Sequence, residues 1–183
     1  VSLLPLTGSA KPMVVKDEEC FPSTVDYYGE GPFYTENPPE LVEGQLAGPY
    51  EAGTRMIISG RVSNLDCTEF IPNTVIDIWH ADDAGQYDNQ GYKLRGKTTS
   101  NSQGFYMFET VHPGKYLNGS SYRPSHIHFK ITPPGFETLT TQLYFEGDPY
   151  IESDAAASLL SAPSSSLSTV PEAKSSTQAE PQP

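Results

Sequence analysis

Short runs in which apolar and polar residues alternate dominate the middle of the chain. Met56-Ile57-Ile58-Ser59-Gly60-Arg61-Val62 is one, and Val75-Ile76-Asp77-Ile78-Trp79-His80 is another. Successive strand side chains point to opposite faces, so Val75, Asp77 and Trp79 share one face and Ile76, Ile78 and His80 the other. Phe105-Tyr106-Met107-Phe108-Glu109-Thr110, His126-Ile127-His128-Phe129-Lys130-Ile131 and Thr140-Thr141-Gln142-Leu143-Tyr144-Phe145 continue the series. These runs are rich in β-branched and aromatic residues. Gly, Pro, Asn and Asp separate them, as strands are separated by tight turns. No stretch sustains a 3.6-residue stripe. The pattern predicts an all-β chain folded as an antiparallel β-sandwich.

The ends read differently. Residues 1–20 show no period and form an N-terminal extension. The sandwich domain is assigned to 21–154 and opens with an irregular arm, Tyr27-Tyr28-Gly29-Glu30-Gly31-Pro32-Phe33-Tyr34, whose Gly and Pro forbid a long helix. Residues 155–183 are rich in Ser, Pro and Ala, too poor in apolar surface to offset chain entropy, and are expected to be a disordered tail. At 183 residues the chain suits one domain plus tails.

Charge excludes some partners. A net charge of -12 leaves no basic patch for nucleic acid or an anionic membrane surface. No apolar run is long enough to span a bilayer. The opening Val1-Ser2-Leu3-Leu4-Pro5-Leu6 fits the remnant of a secretory signal, which points to a secreted or extracytoplasmic protein and leaves the cytoplasm open. The two cysteines, Cys20 and Cys67, lack CxxC partners, so a zinc ribbon or thioredoxin motif is excluded. Two readings stand: buried free thiols, or one disulfide in an oxidising compartment, worth about 4 kcal/mol for a loop of that size.

The chemistry starts at Tyr122-Arg123-Pro124-Ser125-His126-Ile127-His128-Phe129. Strand residues two apart share a face and lie about 7 Å apart, so His126 and His128 can converge on one metal. Two of the 11 tyrosines, Tyr87 and Tyr116, sit in Gly-containing loops upstream, where hydroxyls can turn toward an open site. A trivalent cation favours phenolate over phenol, and phenolate with imidazole suits hard ferric iron better than thiolate would. Trp79, His80 and His112 have no motif tying them to a metal and read as structural.

Together Gly85-x-Tyr87, Pro113-Gly114-Lys115-Tyr116, Arg123-Pro124-Ser125-His126-Ile127-His128 and Thr141-Gln142-Leu143-Tyr144 through Asp148-Pro149 resemble the intradiol ring-cleavage dioxygenases, which include catechol 1,2-dioxygenase and protocatechuate 3,4-dioxygenase. The resemblance runs from about residue 22 to 149. It implies that sandwich fold, and one non-haem Fe(III) held by Tyr87, Tyr116, His126 and His128. It also implies cleavage of catechols by dioxygen between the hydroxyl-bearing carbons, giving muconate-type dicarboxylates. By the same resemblance Arg123 faces the substrate ring, one tyrosine leaves the metal as substrate arrives, and Gln142, Pro32 and Tyr34 border the substrate; Tyr116, in a Gly-flanked loop with Asn118-Gly119-Ser120, is the one expected to leave. The short interval between Tyr116 and Arg123 implies an open site, and it carries the sequon Asn118-Gly119-Ser120. Two rivals are a transthyretin-like binding module, which needs none of the four ligands, and a cupin-type HxH enzyme, whose third carboxylate or His ligand has no convincing counterpart.

Overall fold

The structure, a computed structural model, describes residues 23, 26, 28–65, 67–160 and 172–177. The strands are β1 (Arg55–Asn64), β2 (Val75–His80), β3 (Arg95–Thr99), β4 (Phe105–Val111), β5 (Tyr116–Asn118), β6 (Ser121–Arg123), β7 (His126–Thr132), β8 (Leu139–Tyr144) and β9 (Glu172–Thr177). One short helix, α1 (Ala155–Leu160), comes after β8. One sheet has the order β4-β1-β9, a second β3-β2-β7-β8, and β5-β6 is a separate hairpin. All pairings are antiparallel except β1 with β9.

The alternation dictates which faces meet. Ile58 and Val62 of β1 and Tyr106 and Phe108 of β4 point inward from the first sheet. Ile76 and Ile78 of β2 and Ile127, Phe129 and Ile131 of β7 answer from the second. Each fully buried side chain of this kind contributes about 1.5–3 kcal/mol of transfer free energy. This is the sandwich that the sequence pattern predicts. β7, however, is buried almost continuously rather than alternately. Its second face is covered as well, and the cover is the N-terminal arm. The Asp26 amide donates to Thr140 O (2.8 Å) on β8, and the Leu41 amide donates to Lys97 O (2.8 Å) on β3. The arm therefore crosses the outer face of β3-β2-β7-β8 from one edge to the other.

His80 belongs to the inner face. Its Nδ1 lies 2.7 Å from Ala81 O and its Nε2 2.7 Å from the Thr110 hydroxyl. That arrangement suits the neutral ring, with Nδ1–H donating and Nε2 accepting. Complete burial lowers its pKa to about 4. The unfolded chain takes up this proton near pH 6.5 and the folded chain only near 4, so the contribution is complete above 6.5 and is lost as pH falls from 6.5 to 4. Unfolding free energy from urea titration is expected to fall by about 3 kcal/mol over that range from this group. His80→Gln should flatten the slope, and an unchanged slope in that variant would remove the assignment.

Two parts of the expected disordered tail, 155–183, depart from the sequence reading. Ala155–Leu160 is helical, with the Ala157 amide donating to Asp154 Oδ2 (2.9 Å) as in an N-cap. Glu172–Thr177 adds to the edge of β1, in register from Ser59 with Glu172 to Asn64 with Thr177. An edge strand needs backbone pairing more than apolar side chains, which is why composition gave no sign of it. Among the described residues no helix is long and apolar enough to cross a membrane. Cys67 is disulfide-bonded. Cys20 and the rest of the 1–20 extension lie outside the described residues.

Candidate metal centre and substrate cavity

Cross-strand partners share a face. His128 pairs with Trp79 on one side and Gln142 on the other, and His126 pairs with Tyr144. These five residues therefore lie on the outer face of the second sheet, beneath the arm. Trp79 stacks flat on the His128 ring, 4.8 Å between centroids and 3° between planes. The turn before β7 is fixed by Asp148, whose Oδ2 accepts the Ser125 amide (2.9 Å).

Two loops bring in the phenols, and two glycines let those loops touch. Gly85 has φ +78°, and a Cβ there would lie 2.3 Å from Lys115 O. A Cβ on Gly114 would lie 2.4 Å from Asp83 O. The Gly114 amide donates to Asp82 O (2.7 Å), locking the crossing. Tyr87 lies just past the first glycine and Tyr116 just past the second, and their rings meet edge to face at 5.5 Å. Phe33 of the arm stacks on Tyr87 at 4.3 Å and meets Tyr116 edge-on at 5.8 Å. Buried Arg95 ties the layers together. Its Nε donates to Asp88 O (2.9 Å), and its Nη1 donates to Phe33 O.

The four predicted ligands converge. Nε2 of His126 and Nε2 of His128 face each other at 3.2 Å, and the Tyr87 hydroxyl lies 3.4 Å from His126 Nε2. Arg123 Nη1 donates to the Tyr116 hydroxyl at 3.3 Å and toward His126 Nε2 at 3.5 Å. His126 Nδ1 donates to Pro124 O (2.7 Å), so its Nε2 carries the lone pair. One lone pair thus has three polar neighbours, at distances at or beyond the long end for hydrogen bonds. Two nitrogens bound side by side to one cation at roughly 2 Å each would stand about 3 Å apart. The donor set fits a metal ion, and its two phenols fit a hard trivalent one. Among the described residues no group of three His, Cys, Asp or Glu could hold a metal, so the phenols are indispensable to such a site.

Electrostatics agree with that chemistry. Burial, then His126 and Arg123, holds the His128 imidazole well below its ordinary range. His126 falls to about 4 through burial and the Arg123 charge. Both rings are neutral at pH 7. Burial, with Tyr116 second, raises the Tyr87 phenol well above 10, so only a strong cation makes it a phenolate.

Beside the cluster opens a cavity of about 350 Å³. Tyr116 and His128 face it from the side of the four donors, and Pro32, Phe33, Arg123 and Gln142 form much of its wall. Tyr34, expected at the cavity, is not there. Its hydroxyl donates to Asp77 Oδ2 (3.3 Å) and its ring packs on Trp79 at 4.9 Å. Phe33 takes the place expected for Tyr34. The Tyr116–Arg123 segment is a hairpin, with Tyr116 directly opposite Arg123. His112 packs on Phe145 (4.4 Å), away from the donors. Sequence reading missed Phe33, Arg95, Tyr144 and Asp154. Tyr144 was legible in principle, since Gln142 and Tyr144 alternate on one face of β8.

Residues 29–179 match the family model described as Dioxygenase. The chain is 35% identical over 156 residues to chlorocatechol 1,2-dioxygenase of Rhodococcus opacus, covering 72% of this chain and 60% of that one. It is 31% identical to hydroxyquinol 1,2-dioxygenase of a Rhizobium species over 68% of this chain and 49% of that one. Among solved structures, the dioxygenase domain of a dioxygenase–carbohydrate-binding fusion from a Streptomyces species superposes with TM-score 0.68 at 30% identity, covering 85% of this chain and 96% of that one. The 3-chlorocatechol 1,2-dioxygenase of Rhodococcus opacus gives TM-score 0.65 at 28% identity, over 73% and 61%. The chain spans about half to three-fifths of the length of the curated relatives it matches.

Proposed function

The chain belongs to the intradiol ring-cleavage dioxygenases, and on that premise we propose that it cleaves catechol-type diols with dioxygen at one ferric ion held by Tyr87, Tyr116, His126 and His128. The observation that carries this reading is the meeting of two phenols and two imidazoles beside a cavity of diol size. A ferric ion there would supply Lewis-acid chelation of both diol oxygens and bring ring and dioxygen into reaction. The chain's residues supply the rest. Tyr116 is the phenol on the cavity side; ionised by such an ion, its Oη would take the proton of one arriving hydroxyl as it yields its place, and a hydroxide would take the other. Arg123 Nη1, beside that oxygen, stabilises negative charge developing on the ring, a pre-organised electrostatic contribution. Phe33 shields Tyr87 from water, and Pro32 and Gln142 bound the diol. Both atoms of dioxygen enter the product, a muconate-type dicarboxylate, so no external reductant is needed.

The test is ring opening by iron-loaded protein on catechol, 4-methylcatechol, protocatechuate and hydroxyquinol, monitored by absorbance and oxygen uptake. Expected is a coloured protein that opens at least one ring with one dioxygen consumed per product. A colourless iron-loaded protein that consumes no oxygen with any of the four overturns the reading.

Cys20 is the chain's other cysteine, and we read it as the partner of Cys67, in keeping with a secreted or extracytoplasmic protein. Thiol titration in denaturant without reductant is expected to find no free thiol per chain. Two free thiols would remove the bridge and that location together.

A further inference from the structure

Arg123 has five N–H donors in a rigid planar fork, and the structure accounts for nearly all of them. Nε donates to Asp154 Oδ1 (3.0 Å) and Nη2 to Asp154 Oδ2 (3.1 Å), a bidentate pair. Nη2 also meets Gln142 Oε1 and the Tyr144 hydroxyl, both at 3.1 Å. Nη1 is left for the donor cluster, at Tyr116 and His126. Both partners of the pair are largely withdrawn from solvent, with side-chain exposures of 12% and 9%. Asp154 is itself held. Its amide donates to Tyr150 O (3.1 Å), and its Oδ2 accepts the Ala157 amide at the start of α1.

We propose that Asp154 is the positioning residue for Arg123: through the bidentate pair it aims Nη1 at Tyr116 and offsets the guanidinium charge beside the metal donors. This rests on the function proposed above. A bidentate fork fixes both the rotation and the tilt of the guanidinium, which the single contacts to Gln142 and Tyr144 do not. Asp154 also offsets the Arg123 charge, so the cation beside two prospective phenolates competes less with the metal. Burial works against the carboxylate, yet Arg123 and the Ala157 amide hold Asp154 below its ordinary value, so it is charged at neutral pH.

The experiment is a double-mutant cycle in the iron-loaded full chain, with Asp154→Ala, Arg123→Gln and the double variant, and Asp154→Asn as a milder parallel. Iron content, the visible band, kcat and KM are measured for each, with circular dichroism to confirm folding. Asp154→Ala is expected to retain iron and to lose about 100-fold in kcat, the scale of a misaimed group, with little change in KM. Its visible band should move to shorter wavelength, because the unpaired guanidinium stabilises the neighbouring phenolate. Adding Asp154→Ala to Arg123→Gln is expected to slow turnover no further. Should Asp154→Ala not fold, Asp154→Asn, which keeps the shape and one acceptor, takes its place in the cycle. Wild-type kcat in the aspartate variants, or losses that multiply in the double variant, would overturn the proposal while leaving the ring-cleavage reading intact. An iron-loaded wild type that opens no ring overturns both.

Discussion

Tyr87→Phe, produced and treated with iron like the wild type, is expected to retain little iron and to be pale and inactive. The substitution deletes one oxygen and keeps the ring that stacks on Phe33 at 4.3 Å, so the arm and the loop stay in place. What is lost is a phenol 3.4 Å from His126 Nε2 that only a strong cation would ionise. Changes to residues that merely support a ligand already cost 10- to 100-fold in affinity or activity, so loss of a ligand should lower both by at least about 100-fold. His128→Ala should behave alike, although there the Trp79 stack is lost too and some stability goes with it. His80→Gln is the contrasting variant, since His80 faces the inner core and should keep full iron. Metal analysis by mass spectrometry with a visible spectrum reads all three. Stoichiometric iron and undiminished colour in Tyr87→Phe would remove Tyr87 from the ligand set.

Gly85→Ala is expected to lose the metal as thoroughly, though it removes none of the four donor atoms. The residue sits at φ +78°, and its new Cβ would fall 2.3 Å from Lys115 O, a backbone atom with nowhere to go. The left-handed conformation alone costs a non-glycine residue about 1 kcal/mol or more. The overlap adds to it by forcing the Tyr87 and Tyr116 loops apart, and a total of about 3 kcal/mol or more is expected. Gly135→Ala is the control, because its φ of +81° is similar and nothing lies within 4 Å of its added Cβ. It should lose only the conformational part and keep its iron. Urea unfolding and iron content decide the matter, and equal behaviour of the two variants would mean that the loop contact does not matter.

The contrast between these glycines shows what a sequence discloses. Gly85 and Gly135 look alike in a string of letters; only the folded chain reveals that one faces a carbonyl and the other open space. β1, β2, β4, β7 and β8 were legible because one face of each is apolar. β3 was not, since Arg95 and Gly96 are buried without being apolar. Gly96 is buried because Leu41 of the arm packs against the place where its Cβ would be. The four converging donors were legible through the HxH step and through motifs that resemble a known family. Tyr34 was misplaced because an irregular arm has no period with which to phase its side chains, so Phe33 and Tyr34 could not be told apart. Asp154 was hidden by its neighbours, because the Ser/Ala/Pro-rich composition from Ala155 onward reads as unstructured. An acidic residue before Ala155-Ala156-Ala157 is, however, the ordinary sign of a helix start, and it was there to be read.

Ile127, Phe129 and Ile131 of β7 fill the core, while His126 and His128 stand on the opposite side of the same strand. A slip of one residue would exchange the two sets, sending imidazoles into the oily interior and aliphatic groups to the donors. The chain therefore proofreads its own threading. On the function proposed above, a molecule that misaligns this strand forfeits interior packing and ion capture in one stroke, so the fraction of a preparation that takes up iron is expected to be a head-count of correctly threaded molecules.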